Sequence, residues 1–464
     1  MKLFFALFIA ALLFSNSIIA QQNTNGISSN MLKDMHDKFV KSNPTALENA
    51  IRHNNIKNLA KSRYSNGSED TYFSNTVKTK GITNQKKSGR CWLFTGLNVL
   101  RPVVINKFNM TGFQFSQSYV FFYDQLEKAN LFLEGIINTA SKPLEDKRVD
   151  WLLKNPIGDG GQWTGIVDLV SKYGLVPSDV MPESYQANNT SNMSKLLRMK
   201  LREDALFLRR MYANKEKGKA LERKKVEMLS DIYHILALSL GEPPHNFEWR
   251  YKDADGKISP LKSYTPQSFY KEFVGIDLSD YVMFMNDPSR PYNKLYEIDY
   301  DRHTIDGHNW KYINLDINTI KQFAKASILD NQAMYFSCDV GKQLDSKDGY
   351  LDLNNYNYSA LMGVSFTMDK KQRIITHASG SSHGMTLVGV DINANGKINK
   401  WLLENSWGHT GFDNGHLILG DGWFNEYMFR LVIKKKYISA EVLKILDQKP
   451  TILPPWDPMF SPEK

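Results

Sequence analysis

The spacing of apolar residues changes character several times along the chain. Residues 3–14, LFFALFIAALLF, form an unbroken apolar run behind a Met-Lys start, and small and polar residues follow, SNSIIAQQNTNG. A positive start, a short apolar centre and an Ala-terminated site predict a secretory signal peptide over 1–20, cut near Ala20. The run falls short of the roughly 20 apolar residues needed to cross a bilayer. Residues 21–75 are polar with short apolar stripes, which predicts an N-terminal lead-in of helices and loops. Over 76–190 the pattern is helical. A run from Cys91 (CWLFTGLNVL) is followed by the amphipathic SQSYVFFYDQLEKANLFLEGII, then by GDGGQ, a Gly-rich loop opening a helix that Gly174 and Pro177 close. Over 193–241 apolar residues recur at three- and four-residue intervals with charges between them, predicting two long helices inside a helical insertion over 191–329.

Beyond residue 330 the period shortens. AMYFSCDVG, YSALMGVSF, MTLVGVDI, KWLLENSWG and EYMFRLVI are brief apolar, β-branched or aromatic runs separated by Gly, Asn and Asp turns. They predict a β-rich part over 330–445, ahead of a tail at 446–464. Helices first and strands last give an α+β fold class.

Composition narrows the possibilities. A chain of 464 residues suffices for two or three domain-sized pieces. Loss of residues 1–20 removes one positive charge, Lys2, so a net charge of +9 becomes +8. The basic residues are spread rather than blocked, and those at 193–241 read as a solvated helix face or subunit contact ahead of a nucleic-acid surface. No HExxH or paired CxxC occurs, and the histidines lack acidic partners at ligand spacing, so neither a metal nor another cofactor is expected. The chain has two cysteines, Cys91 and Cys338. Cys338 ends an apolar strand-like run and reads as a small buried hydrophobe, which leaves Cys91 as a lone thiol in an exported protein.

A nucleophilic thiol needs its proton removed and its thiolate stabilised. Cys91 follows a basic approach, KKSGR, and opens an apolar helix, so its sulfur lies at the helix's positive end. The partner imidazole must come from elsewhere. In SSHGMTLVGVDINANGKINKWLLENSWG, two strand-like runs flank a turn containing Asn395-Gly396, a strong hairpin signal. His383 and Asn405 share a midpoint at Ala394 in that turn, so the hairpin brings imidazole and carboxamide together within a register error of two or three residues. His377, six residues earlier behind a flexible ASGSS, is the competing imidazole. Acyl transfer also needs donors for a developing oxyanion. The backbone N–H of Cys91 is one, and Gln85 on the approach loop offers a neutral second.

A thiol at a helix start, a Gln upstream, and a His and an Asn on a late hairpin resemble the papain-like cysteine peptidases. The N-Q-x(3)-G-x-C-W spacing from Asn84 to Trp92 and the N-S-W-G of 405–408 carry that resemblance. SGRCWLF, LNVLRP, GDGGQW, FSCDVGK, HGMTLVGVD, LENSWG and ILPPWDPM are similar, in order and spacing, to the bleomycin hydrolase and aminopeptidase C group, over nearly all of 75–459. The resemblance implies a two-lobed fold, with a helical lobe carrying Cys91 and a β-rich lobe carrying His383 and Asn405. It implies Cys91 as nucleophile, His383 as base and then acid, Asn405 as its orienter, and Gln85 in the oxyanion hole. Trp407 would shield the His–Asn bond, and Gly160 and Gly161 would line the cleft as backbone that pairs with peptide substrates. It also implies a C-terminus lying in the cleft, which favours aminopeptidase action, and a homo-hexamer. Two features depart from the group: a tail ending DPMFSPEK where the group has DPMGALA, and the signal peptide. The expectation is an exported thiol aminopeptidase. The same site acting as an endopeptidase or as an amidase or acyl transferase is the alternative, and a non-enzymatic basic assembly holding nucleic acid is a third, which export disfavours.

Overall fold

The computed structural model describes residues 25–42, 44–62, 70–410 and 415–459. The expected signal peptide and tail residues 460–464 lie outside the described residues. The chain divides into two units, one ending at Lys61 and one running from Ser62. The first holds α1 (Ser29–Lys41), α2 (Thr45–His53) and α3 (Ile56–Ala60). Helix α1 begins where the Ser28 hydroxyl accepts the Met31 N–H at 3.2 Å.

The second unit opens with β1 (Asn75–Thr76) and continues through α4 (Cys91–Lys107), α5 (Gln117–Asn138), α6 (Lys147–Lys154) and α7 (Trp163–Tyr173). Next come α8 (Tyr185–Asn188) and the two long helices, α9 (Ser191–Ala213) and α10 (Lys219–Leu240). Every residue of α4 from Cys91 to Pro102 is buried, as its near-continuous apolar sequence requires. Gly96 lets α7 approach: a Cβ there would lie 2.4 Å from Ile166 Cγ1. Gly174, at φ 75°, ends α7.

The segment expected as a helical insertion over 191–329 is only partly helical. After α10 it forms a small ribbon, β2 (Phe247–Trp249) with β3 (Lys262–Tyr264). It then contributes β4 (Tyr281–Met285), β5 (Lys294–Ile298) and β6 (Lys311–Asn314) to the main sheet. Two further helices, Pro266–Phe273 and Ile317–Leu329, alternate with these strands, and strands of four or five residues carry little pattern of their own. The sheet is completed by β7 (Met334–Cys338), β8 (Leu344–Asp345), β9 (Tyr350–Leu351), β10 (His383–Ile392), β11 (Ile398–Glu404), β12 (His416–Gly420), β13 (Met428–Lys434) and β14 (Thr451–Leu453). Its order is β14-β5-β6-β4-β13-β7-β10-β11-β12-β9-β8, with β1 paired to β10. YSALMGVSF, expected as a strand, instead holds a short helix, Tyr358–Met362. The Asn357 side chain caps it by accepting the Ala360 N–H at 2.9 Å, and Gly363 ends it at φ 64°.

Two clusters of buried apolar side chains result. One joins the helices around Trp92, Phe121, Trp163 and Ile232, and the other lies on the sheet around Phe336, Val388, Trp401 and Leu419. A buried ion pair ties α4 to the sheet: Arg101 Nη2 stands 2.6 Å from Glu404 Oε1 and also donates to the Gly81 carbonyl at 2.9 Å. The two side chains are 3% and 0% exposed, and Glu404 is the last residue of β11. Removing one member of such a pair strands the other charge in a low-dielectric interior. Arg101→Met is therefore expected to destabilise the protein by about 3–5 kcal/mol in urea denaturation; a loss under about 1 kcal/mol, the scale of a surface pair, would show that the bridge carries no such role.

Candidate active site

Helix α4 begins at Cys91 with no side-chain cap and no acidic residue in its first turn. The backbone does the local work: Arg90 O accepts the N–H groups of Leu93 and Phe94 at 3.0 and 3.1 Å. The helix's positive end is thus left to act on whatever stands before it, and that is the Cys91 thiol. The approach loop is fixed on both sides. Arg90 is fully buried in a two-pronged contact with Glu183 at 3.1 and 2.6 Å, and the Gly89 N–H donates to Asp159 Oδ2 at 3.2 Å. Lys86 takes the left-handed turn position, φ 53°.

Strand β10 delivers its first residues to the same place. The Gly384 N–H donates to Cys91 Sγ at 3.4 Å, so the residue after His383 touches the sulfur. His383 is 2% exposed, and its Nε2 lies 2.8 Å from Asn405 Oδ1. The Ser406 N–H donates to that same oxygen at 2.8 Å. An atom that accepts from a backbone N–H is the carbonyl oxygen of the carboxamide, so His383 Nε2 carries hydrogen and donates. Nδ1 is then the ring atom for proton exchange with a thiol. The Trp407 ring covers this pair, its centroid 4.8 Å from that of His383.

The hairpin that joins His383 and Asn405 is built around Asn393–Lys397, with Gly396 at φ 78°. Its register differs from a simple midpoint. Thr386 pairs with Glu404, which sets Asn405 two residues along the ladder from His383. Irregularities between Leu387 and Gly389 and between Asp391 and Ile392 shift the pairing. The ladder ends at Glu404, and Asn405 turns toward the imidazole from beyond it. Cys338 is the ladder partner of His383 on β7, buried as a thiol.

Gln85 is held by the residue next to Asn405. Its N–H donates to Ser406 O at 2.8 Å, its Oε1 accepts from Ser406 Oγ at 2.7 Å, and its Nε2 donates to Ser88 O at 2.8 Å. One Nε2 hydrogen remains for a developing oxyanion. Ser406 therefore serves both Gln85 and Asn405. Sequence reasoning passed over it and Gly384, although both sit inside the motifs quoted for their neighbours.

A cleft of about 950 Å³ adjoins this site, lined by Ser88, Gly89, Gly158, Asp159 and Gly160 on one side and by Pro455–Pro458 of the tail on the other. His377 also lines it, exposed, while His383 stands on β10 directly before Gly384, whose N–H donates to the thiol. The two glycines do not behave alike. Gly160 lines the cleft, but its carbonyl accepts from Lys128 Nζ at 2.7 Å. Gly161 faces inward: a Cβ there would lie 2.2 Å from His303 Cε1 and 2.7 Å from Trp92 Cε2. Gly160 thus lines the cleft with its carbonyl held from behind, and Gly161 packs inward against His303 and Trp92.

Behind this loop lies a polar cluster that sequence reasoning missed. Lys128 Nζ stands 2.8 Å from Asp124 Oδ2, and Asp124 Oδ1 stands 2.5 Å from His303 Nδ1. Burial alone would raise the Asp124 pKa, but the Lys128 ammonium and His303 outweigh it and hold it below the ordinary carboxylate value. Burial, reinforced by Lys128, pushes His303 below its ordinary value, with Asp124 only partly offsetting this. The signal was an Asp and a Lys four residues apart on the buried face of an apolar helix. Among the described residues no group of three or more His, Cys, Asp or Glu side chains is placed to hold a metal ion.

The Peptidase C1-like family model matches residues 26–460. Aminopeptidase C of Streptococcus thermophilus is 38% identical over 418 residues, 90% of this chain and 94% of that one. Bleomycin hydrolase of Mus musculus is 40% identical over 400 residues, 83% of this chain and 88% of its own. The crystal structure of PepW from Lactobacillus rhamnosis HN001 superposes with a TM-score of 0.91 at 37% identity, covering 95% of this chain and all of that one. With a thiol at a helix start, an imidazole held by a carboxamide, and these matches along almost its whole length, the chain belongs to the Peptidase C1-like family, among the papain-like cysteine peptidases of the bleomycin hydrolase and aminopeptidase C group.

Proposed function

We propose that this chain is an exported cysteine aminopeptidase that cleaves peptides through a thioester acyl-enzyme. The observation that carries this is the Nε2–Oδ1 contact of His383 with Asn405 at 2.8 Å, on a strand whose next residue donates to Cys91 Sγ. Cys91 Sγ passes its proton to His383 Nδ1, and the resulting ion pair is stabilised by the helix end and the Gly384 N–H. The thiolate attacks the peptide carbonyl. The tetrahedral oxyanion accepts from the Cys91 N–H and Gln85 Nε2, and collapse breaks the C–N bond as His383 returns its proton to the leaving amine. Water then gives a proton to His383 and its oxygen to the acyl carbon, releasing the acid and restoring the thiol. Asn405 keeps the ring in one tautomer throughout, and Trp407 limits water's access to the bond that does so.

Restriction to free N-termini is supported by the aminopeptidase C, aminopeptidase G and bleomycin hydrolase relatives and by the tail residues Pro455–Pro458 on the cleft wall. Export is supported by the apolar run and Ala20 site alone. Assembly as a hexamer rests on the group resemblance.

Four outcomes follow. Alkylation of Cys91 by iodoacetamide is expected to level off at a pH well below that of an ordinary thiol, about 8.5, and His383→Ala should move the profile back toward that value. Identical profiles in the two proteins would remove the ion pair. Cys91→Ala should lower hydrolysis of aminoacyl fluorogenic substrates by about a thousandfold or more. Free-amine peptides should be cleaved faster than N-blocked ones by the full chain, with the gap narrowing on removal of 460–464; equal rates in the full chain would mean an endopeptidase. Sequencing of exported protein should begin at Gln21.

A further inference from the structure

Lys128 and the Asp124–His303 pair behind the glycine loop have no part in the acyl-transfer steps above. Lys128 Nζ donates to two loop carbonyls, Gly160 O at 2.7 Å and Gly158 O at 3.2 Å, and Gln125 Nε2 donates to Gly158 O at 3.1 Å. The intervening carbonyl, Asp159 O, accepts from Trp92 Nε1 at 2.8 Å. Three consecutive carbonyls of the cleft wall are therefore fixed from behind by α5 and by the residue next to the nucleophile. The ammonium itself is anchored by buried Asp124 and stands 5.3 Å from the centre of the Trp92 ring. His303, tied to Asp124, fills the notch left by Gly161 and Gly165, where any Cβ would meet its ring within 2.4 Å. It meets Trp92 edge-on, with centroids 4.6 Å apart.

We propose that Lys128, with Asp124 and His303, is a positioning device for substrate. It fixes the main chain of Gly158–Gly160 so that a peptide can seat against that wall in register with Cys91. The claim rests on the peptidase function proposed above, since it assigns the wall as the surface that holds the peptide. The charge distribution argues for positioning rather than proton transfer. The ammonium is saturated by one carboxylate and two carbonyls, and the His303 ring is packed against Trp92, the residue after the thiol. Such a device governs how well substrate binds, leaving the thiol–imidazole pair unaltered.

The test uses Lys128→Met and, because that change strands a buried carboxylate, the paired Asp124→Asn/Lys128→Met, which leaves no uncompensated charge. Two readouts apply to the full-length chain: KM and kcat on aminoacyl fluorogenic substrates, and the concentration of a dipeptide amide that half-protects Cys91 from iodoacetamide. The expected result is a rise of about tenfold in KM and in the half-protection concentration, the scale of one hydrogen bond's contribution to binding. The kcat should stay within about threefold and the alkylation pH profile should overlay that of the wild type. Unchanged KM and protection in whichever variant folds would overturn the proposal, as would a fall in kcat accompanied by a shifted alkylation profile. If the wild type binds the dipeptide but hydrolyses nothing, the peptidase function fails while protection still decides the role of Lys128.

Discussion

An uncapped helix end pressed against the first residues of a strand is the constraint on which the site depends. A helix N-terminus normally satisfies its N–H groups with a Ser, Thr, Asp or Asn side chain, and several other helices in this chain do so. Helix α4 does not. Its end is reserved for a sulfur that also receives the Gly384 N–H. Such an arrangement gives nothing to stability by itself, because donors face a thiol rather than a strong acceptor. Its value appears when the sulfur becomes anionic, and the rest of the molecule has to hold helix and strand in place until then.

Two buried ion pairs and a large apolar interior provide that hold. Burial of α4 on all sides supplies the driving force, at about 25 cal/mol per Å² of apolar surface removed from water. The ion pairs add little net energy but fix direction. Arg101–Glu404 ties the middle of α4 to the residue before Asn405, while Lys128–Asp124 lies on the far side, behind Trp92. Thiol and carboxamide are thus located by charges that cannot slide without being stranded.

Much of this was legible in the sequence where the pattern is local. The Cys91 helix, the GDGGQ loop with its following helix, the two long helices and the Asn-Gly hairpin all announce themselves by period and turn residues. The hairpin even brought His383 and Asn405 together, although the midpoint rule ignored two irregularities that shift the ladder. Strands β4–β6 escaped because four or five residues leave too short a pattern. YSALMGVSF misled because apolar composition outweighed its Asn cap and Gly stop. Lys128, Asp124 and His303 were beyond reach for another reason: the His lies 179 residues from the Asp in sequence, and only the folded chain shows that both face the same glycines.

Ser406 spends its backbone N–H on Asn405, and its hydroxyl and carbonyl on Gln85. The group that orients the imidazole and the group that would receive the oxyanion are therefore fastened to one residue, though one comes from the start of the catalytic half and the other from near its end. Substitutions at positions 85 and 405 should accordingly fail to add, each loosening the anchor of the other. One serine thereby couples the geometry of two signatures separated by some three hundred residues of chain.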